Sequence, residues 1–169
     1  IPPRSLVRGT LPRLVNAGHE VIVASRGNRQ PYLPNPAWKD VRHVDVDRAA
    51  EDEAGKFGSR IAALNADAVI DLICFTPESA QQLVDALKRG RAPSASRLPL
   101  LLHCGTMWVH GRPTTVPVTE DMPRKPFGDY GIKKAAIEKF LLDTTRRGDA
   151  RATVLHPGHM VGPGWNPVN

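Results

Sequence analysis

The chain has 169 residues, of which 41% are hydrophobic and 24% are charged. This length is enough for one hydrophobic core but not for two large domains. No segment approaches the run of about 20 apolar residues that a membrane-spanning helix needs, and no secretory signal is recognisable at the start. The two cysteines, Cys74 and Cys104, lie in apolar segments and predict buried reduced thiols, so we expect a cytoplasmic protein without disulfides.

The chain is basic, with 23 Lys and Arg against 17 Asp and Glu and a net charge of +6. Such an excess suits nucleic acid or a phosphorylated small molecule. The basic residues are dispersed, however, and no Lys/Arg-rich run with interleaved aromatic residues is present. We therefore expect a solvated basic surface and a phosphate-bearing cofactor rather than a nucleic-acid partner.

Helical and strand patterns alternate along the chain. Apolar residues from Leu6 to Val15 recur at helical spacing and predict a first helix, which Pro12 weakens and Gly18 terminates. Further helices are predicted at 50–64, 78–88 and 130–144. Strands are predicted at 21–24, 41–46, 68–75, 98–104 and 152–155. Loops are predicted at 31–40, 90–97 and 111–127, of which the second is basic and flexible.

Apolar strands that alternate with amphipathic helices predict an α/β fold, a doubly wound parallel sheet with helices on both faces. Ligands of such sheets bind beyond the carboxyl ends of the strands. The residues that follow the predicted strands are therefore candidates for a binding site: Ser25, Arg26, Asp47, Arg48, Phe75, Thr76, Thr106 and His156–Gly158.

Tyr130 and Lys134 lie four residues apart, which places them on one face of the last predicted helix. A tyrosine is a poor base at neutral pH, and a nearby cation makes its phenol easier to ionise. The pair alone is common on solvated helices. Two other segments strengthen the case for a site. Thr106 follows a buried strand, where it either binds a ligand at the rim of the sheet or forms a turn. The Gly/Pro-rich segment that begins at His156 predicts a rigid loop.

Taken in order, these segments resemble the extended short-chain dehydrogenase/reductases of the NAD-dependent epimerase/dehydratase type. Thr106–Gly111 resembles the family pattern S/T-x-x-V-Y-G, with His110 in place of the tyrosine. Pro117–Pro123 resembles P-x-T-E-D/E-x-P, and Tyr130 with Lys134 forms the family's Y-x-x-x-K.

The last matching segment resembles R-P-x-x-x-x-G-P-G and runs from Pro157 to Gly164, with His156 in place of the arginine. The resemblance implies that Tyr130 is the acid/base, that Lys134 holds the nicotinamide ribose and that Thr106 bonds the reacting oxygen. Pro157 and Gly158 would pass near the nicotinamide. The implied activity is that of an epimerase/dehydratase or reductase on a hydroxyl or carbonyl carbon of a small molecule, such as a sugar nucleotide.

The cofactor implied is NAD(P). Arg26, in the turn after the first strand, suits a 2′-phosphate and favours NADP, although a surface arginine is the alternative. Asp47 and Arg48 resemble the position that contacts adenine, with Asp45 as the competing register. Phe75 and Thr76 would line the cofactor cleft or belong to the core.

The chain departs from the family at its beginning. The family starts with a strand and G-x-x-G-x-x-G, whose glycines admit the pyrophosphate. The corresponding positions here fall near Ile1, Arg4 and Val7. We therefore expect residues 1–169 to form an incomplete Rossmann-like NAD(P)-binding domain that lacks the first strand and the C-terminal substrate part, with severely reduced cofactor affinity. The alternative is a non-catalytic NAD(P)- or nucleic-acid-binding relative.

No metal site is predicted, because the histidines lack carboxylates or cysteines at ligand spacing. Many members of the family pair through the Tyr/Lys helix, so the apolar stripe near Ile137 and Leu141 would be either a homodimer interface or core.

Overall fold

A computed structural model describes residues 4–27, 35–90 and 97–158, with backbone alone for residues 4–8. The predicted flexible loop at 90–97 and the glycine-rich segment beyond Gly158 lie largely outside these ranges. The described residues form two compact units, one ending at Ala54 and the other running from Gly55 to Gly158. Among the described helices, none is both long and apolar enough to cross a membrane.

The first unit contains two parallel strands and two helices. Its elements are α1 (Arg4–Asn16), β1 (Val21–Ser25), a 3-10 helix (Pro36–Asp40), β2 (Val41–Asp45) and α2 (Arg48–Glu53). Val21 of β1 is opposite Val41 of β2. Helix α1 continues through Pro12 and ends at Asn16. Gly18, two residues later, has a φ of 84°, the left-handed conformation that glycine adopts most easily.

The second unit contains a three-stranded parallel sheet. Its elements are α3 (Phe57–Ala62), β3 (Ala68–Asp71), α4 (Pro77–Arg89), β4 (Leu100–Cys104), a 3-10 helix (Met107–His110), α5 (Gly128–Arg146) and β5 (Ala152–Leu155). The strand order is β3-β4-β5. The core contains Leu83, Leu101 and Val109 together with Ile137 and Leu141, which are 0% and 1% exposed. The predicted apolar stripe of α5 is therefore core within the chain itself.

This topology is that of an incomplete Rossmann-like fold. A complete one has the strand order 3-2-1-4-5-6. The pair β2-β1 corresponds to strands 3 and 2, and the order β3-β4-β5 corresponds to strands 4, 5 and 6. The first strand of that order has no counterpart among the residues that the structure describes. The predicted fold class is confirmed.

Three predicted elements differ from the structure, the first being the loop predicted at 31–40, in which residues Pro36–Asp40 form a 3-10 helix. The helix predicted at 50–64 is two helices, because Gly55 adopts a φ of 66° and ends α2. The strand predicted at 68–75 ends at Asp71. The chain then turns toward α4, whose first turn is capped by the Thr76 hydroxyl.

Gly58 allows helices α3 and α4 to pack closely. A Cβ atom at this position would lie 2.4 Å from the carbonyl oxygen of Gln82 and 3.0 Å from the Cβ of Ala86. Because the carbonyl belongs to the backbone of α4, rotation of a side chain does not relieve the contact. We expect Gly58→Ala to lower the free energy of unfolding by about 2 kcal/mol, measured by urea denaturation. The control is Gly9→Ala in α1, where a Cβ atom would have no neighbour within 4 Å, so the free energy of unfolding should not fall. Equal stability of the two variants would contradict close packing of α3 against α4.

Candidate active site

Lys134 is buried at the carboxyl ends of two adjacent strands. Its side chain is 2% exposed, and Nζ donates hydrogen bonds to the carbonyl oxygens of Cys74 (2.8 Å) and Cys104 (2.7 Å). Cys104 is the last residue of β4, and Cys74 lies in the loop after β3. The two carbonyls fix the position of the ammonium and partly replace the water lost on burial.

Tyr130 lies one helical turn before Lys134 and is 42% exposed. Its ring centroid is 6.4 Å from that of Phe75 and 6.0 Å from that of Trp108, the latter in an edge-to-face geometry. The Lys134 Nζ lies 5.3 Å from the same Phe75 ring. Phe75 thus contacts both members of the Y-x-x-x-K pair, and the phenol faces solvent while the ammonium does not.

Thr106 is linked to this pair through its own helix. It is buried, and its hydroxyl oxygen accepts the backbone N–H of Trp108 (3.3 Å), which caps the 3-10 helix that carries Trp108 to Tyr130. Because the hydroxyl oxygen acts here as an acceptor, its own proton can still be donated. The predicted bond from Thr106 to a reacting oxygen stays a prediction.

The loop after β5 lies against the Thr106 segment. The carbonyl oxygen of Pro157 accepts the Met107 N–H at 3.4 Å, and a Cβ on Gly158 would lie 4.0 Å from the Met107 side chain. Phe75, 44% exposed, is followed by Thr76, whose hydroxyl accepts the Ser79 N–H and caps α4. These four predicted cofactor-binding residues all belong to the second unit.

Four other predicted cofactor-binding residues lie in the first unit. The Ser25 hydroxyl is hydrogen-bonded to His43 Nε2 at 2.7 Å, and Arg26 is exposed directly after β1. Asp47 caps α2 by accepting two backbone N–H groups. Arg48 is buried and pairs with Asp52 at 3.3 Å. The last two residues thus have structural roles, and their predicted contact with adenine stays a prediction.

Two groups near the Tyr/Lys pair have no counterpart in the sequence analysis. One is the stack of Trp108 on Phe127, with ring centroids 5.0 Å apart and both side chains about half exposed. The other is Glu138, buried one turn after Lys134 on the same face of α5. The spacing of Tyr130, Lys134 and Glu138 at i, i+4 and i+8 is the signal that identifies this residue.

Asp71, Cys74 and His103 form a buried cluster whose potential ligand atoms lie within 4.8 Å of one another. The cluster arises because parallel pairing places Asp71 opposite His103. Each of the three residues already has an interaction partner within the protein. Their proximity therefore requires no metal ion.

Parallel strands that match the Rossmann order, with a lysine buried at the carboxyl ends of two of them, define an α/β fold of the class that binds its ligands at that edge of the sheet. A sequence model of the NAD dependent epimerase/dehydratase family matches residues 8–169. The chain belongs to that family.

This chain covers less than half of the length of each relative described next. It is 31% identical over 150 residues to 2'-dehydrokanamycin reductase of Streptomyces kanamyceticus, covering 89% of this chain and 38% of the reductase. It is 30% identical over 94 residues to UDP-glucose 4-epimerase of Azospirillum brasilense, covering 51% of this chain and 27% of the epimerase. The Bordetella bronchiseptica enzyme WbmG, solved in complex with NAD and UDP, is similar in fold at 21% identity and a TM-score of 0.64, covering 89% of this chain and 49% of WbmG.

Proposed function

We propose that this chain supplies the acid/base part of the active site of an NAD(P)-dependent reductase or epimerase that acts at a hydroxyl or carbonyl carbon of a small molecule. The observation that carries the proposal is the fixed, buried ammonium of Lys134, one turn from the half-exposed phenol of Tyr130. The similarity to both a reductase and an epimerase supports either outcome.

The residues of the second unit fit the nicotinamide end of a dinucleotide, because a positioned cation, an aromatic ring and an accessible phenol lie at the carboxyl ends of its strands. When bound, the cofactor supplies or accepts the hydride. Tyr130 gives a proton to the oxygen of a carbonyl during reduction and takes it back during oxidation. Lys134 orients the ribose and stabilises the phenolate, and Thr106 donates a hydrogen bond to the reacting oxygen.

The proposal is tested by giving the full chain NADH or NADPH with a panel of ketones that contains 4-keto nucleotide sugars and 2'-keto aminoglycosides. A reductase consumes reduced cofactor in proportion to product. In a separate assay with NAD⁺ in place of the reduced cofactor, an epimerase interconverts UDP-glucose and UDP-galactose with no net consumption of the cofactor, because the transient oxidation of the sugar carbon needs the oxidised nucleotide. Absence of both reactions, in a chain that is folded by circular dichroism and binds the cofactor, would favour the non-catalytic alternative.

The cofactor preference is proposed to be NADP, because Arg26 is exposed directly after β1 and forms no ion pair with the other residues that the structure describes. We expect Arg26→Asp to weaken NADPH binding about tenfold more than NADH binding, as expected for one charge-assisted contact. Fluorescence titration with both nucleotides gives the ratio of dissociation constants. Arg13→Asp, which reverses an exposed charge on α1, is the control. An unchanged ratio would show that Arg26 does not meet the 2′-phosphate.

A further inference from the structure

The face of α5 that carries the Tyr/Lys pair continues into a buried polar network. Both carboxylate oxygens of Glu138 are engaged: Oε1 accepts from Arg124 Nε (2.8 Å) and Oε2 accepts from His156 Nε2 (2.8 Å). Burial acts to raise the pKa of Glu138, but the hydrogen bonds from His156 and Arg124 outweigh it and lower the pKa. Glu138 is therefore ionised at neutral pH.

The network continues from His156 to His110. His156 Nδ1 lies 3.2 Å from His110 Nε2, with the two rings edge to face. His110 is 8% exposed, and its Nδ1 is buried without a hydrogen-bond partner among the described residues. His110 ends the 3-10 helix that carries Trp108 to Tyr130, so the network joins the loop after β4 to the loop after β5.

His110 stays neutral near pH 7 because its surroundings oppose a second proton. Burial lowers the pKa of His110, and the nearby charges of Arg124 and His156 lower it further. Glu138 and Glu120 act in the opposite direction but do not outweigh these effects.

The carboxylate fixes the direction of the hydrogen bonds. Since Glu138 can only accept, His156 Nε2 carries a hydrogen. When His156 is neutral, its Nδ1 accepts and His110 must donate from Nε2, which leaves a lone pair on His110 Nδ1. When His156 holds two protons, its Nδ1 donates, so the hydrogen of neutral His110 must lie on Nδ1.

We propose that His110 and His156 are positioning residues that share one exchangeable proton and thereby set the 3-10 helix of Thr106 and Trp108 against Tyr130. Because His110 Nδ1 is buried, a solvent proton reaches it only when the 3-10 helix opens transiently. An N–H bond then forms at His110 Nδ1, while the His110 Nε2–H bond breaks and its proton passes to His156 Nδ1. No electrons are transferred. The positive charge resides on His156 beside Glu138, and His110 changes tautomer without becoming charged. The consequence for catalysis rests on the function proposed above, whereas the proton exchange does not.

The exchange is tested by ¹⁵N NMR of the histidine rings of the full chain during acidification. We expect the His110–His156 pair to take up one proton while His110 changes from the Nε2–H to the Nδ1–H tautomer and remains neutral. The Trp108 indole N–H signal should shift over the same pH range. A second proton on His110, or one unchanged His110 tautomer throughout the titration, would overturn the proposal.

His156→Arg separates the proton exchange from packing. The guanidinium still donates to Glu138, but it is always charged and cannot accept from His110. We expect His110 to be locked as Nδ1–H and the Trp108 signal to lose its pH-dependent shift. A persistent shift in this variant contradicts coupling to the network.

Two further variants complete the test. His110→Asn removes the second ring and should abolish the Trp108 shift even where His156→Arg does not fold. His19→Asn changes an exposed histidine of the first unit and should leave the shift intact. In an active chain, we expect kcat of the parent to change with pH over the range in which His110 changes tautomer, and kcat of His156→Arg not to follow that change. The NMR outcome does not depend on turnover, so failure of the exchange and failure of the proposed function are distinguishable.

Discussion

Replacing Tyr130 by Phe is expected to lower kcat by about 10²–10⁴-fold, the usual contribution of a positioned general acid or base. Tyr130 is an exposed residue with an ionisable hydroxyl, one helical turn before the buried Lys134. The substitution removes one oxygen and keeps the ring, so the contacts with Phe75 and Trp108 remain. The measurement is cofactor-linked turnover with the substrate found in the ketone and epimerase assays.

Two control measurements on this variant are its affinity for NADH and its thermal stability. Because the ring stays in place, we expect the thermal unfolding midpoint and the NADH dissociation constant to remain close to those of the parent chain. A variant that binds NADH normally and still turns over at the parental rate would exclude Tyr130 as the acid/base. Loss of both turnover and folded structure would point to packing instead.

Local sequence patterns predict the helices and strands whose bounds depend mainly on neighbouring residues. Strand β5 begins and ends at the predicted residues 152–155, since a short apolar segment between polar neighbours has few other solutions. The helix with the Y-x-x-x-K pair was predicted at 130–144 and runs from Gly128 to Arg146. The break at Gly55 was missed, because an apolar stripe indicates helix and does not register one left-handed residue inside it.

Long-range partners were not predictable from the same patterns. Lys134 donates to carbonyls 60 and 30 residues away, and His156 bonds to Glu138 18 residues before it. A pattern of neighbouring residues cannot predict these pairs, because the parallel arrangement of the strands brings them together. The capping role of Asp47 is predictable from the sequence, since an aspartate directly before a helix is a common N-cap, whereas the family resemblance implies a contact with adenine at this position.

Glu138→Gln is expected to lower the free energy of unfolding by about 3 kcal/mol at neutral pH, the lower end of what removing one partner from a buried ion pair costs. The carboxylate is 4% exposed and accepts from both Arg124 and His156. Glutamine keeps one acceptor oxygen, but its NH₂ group then faces a donor, so one of the two donors, Arg124 or His156, loses its acceptor.

The pH dependence of this effect follows from the lowered pKa of Glu138. A carboxyl with a depressed pKa in the folded state stabilises the protein fully above its unfolded value of about 4.3, and this contribution is lost as the pH falls through the folded value. The difference between the parent chain and Glu138→Gln should therefore be constant near neutral pH and shrink below about pH 4.3. Urea unfolding at a series of pH values measures it.

The matched control is Asp143→Asn, which removes a carboxylate from the same helix. Asp143 pairs with Lys139 and Arg146 at the surface, where water screens the charges and ion pairs contribute little. We expect its unfolding midpoint to stay close to that of the parent chain at neutral pH. If Glu138→Gln behaved like Asp143→Asn, the buried carboxylate would not be holding the two loops to α5. If it destabilised the chain equally at acid and neutral pH, packing rather than charge would be its contribution.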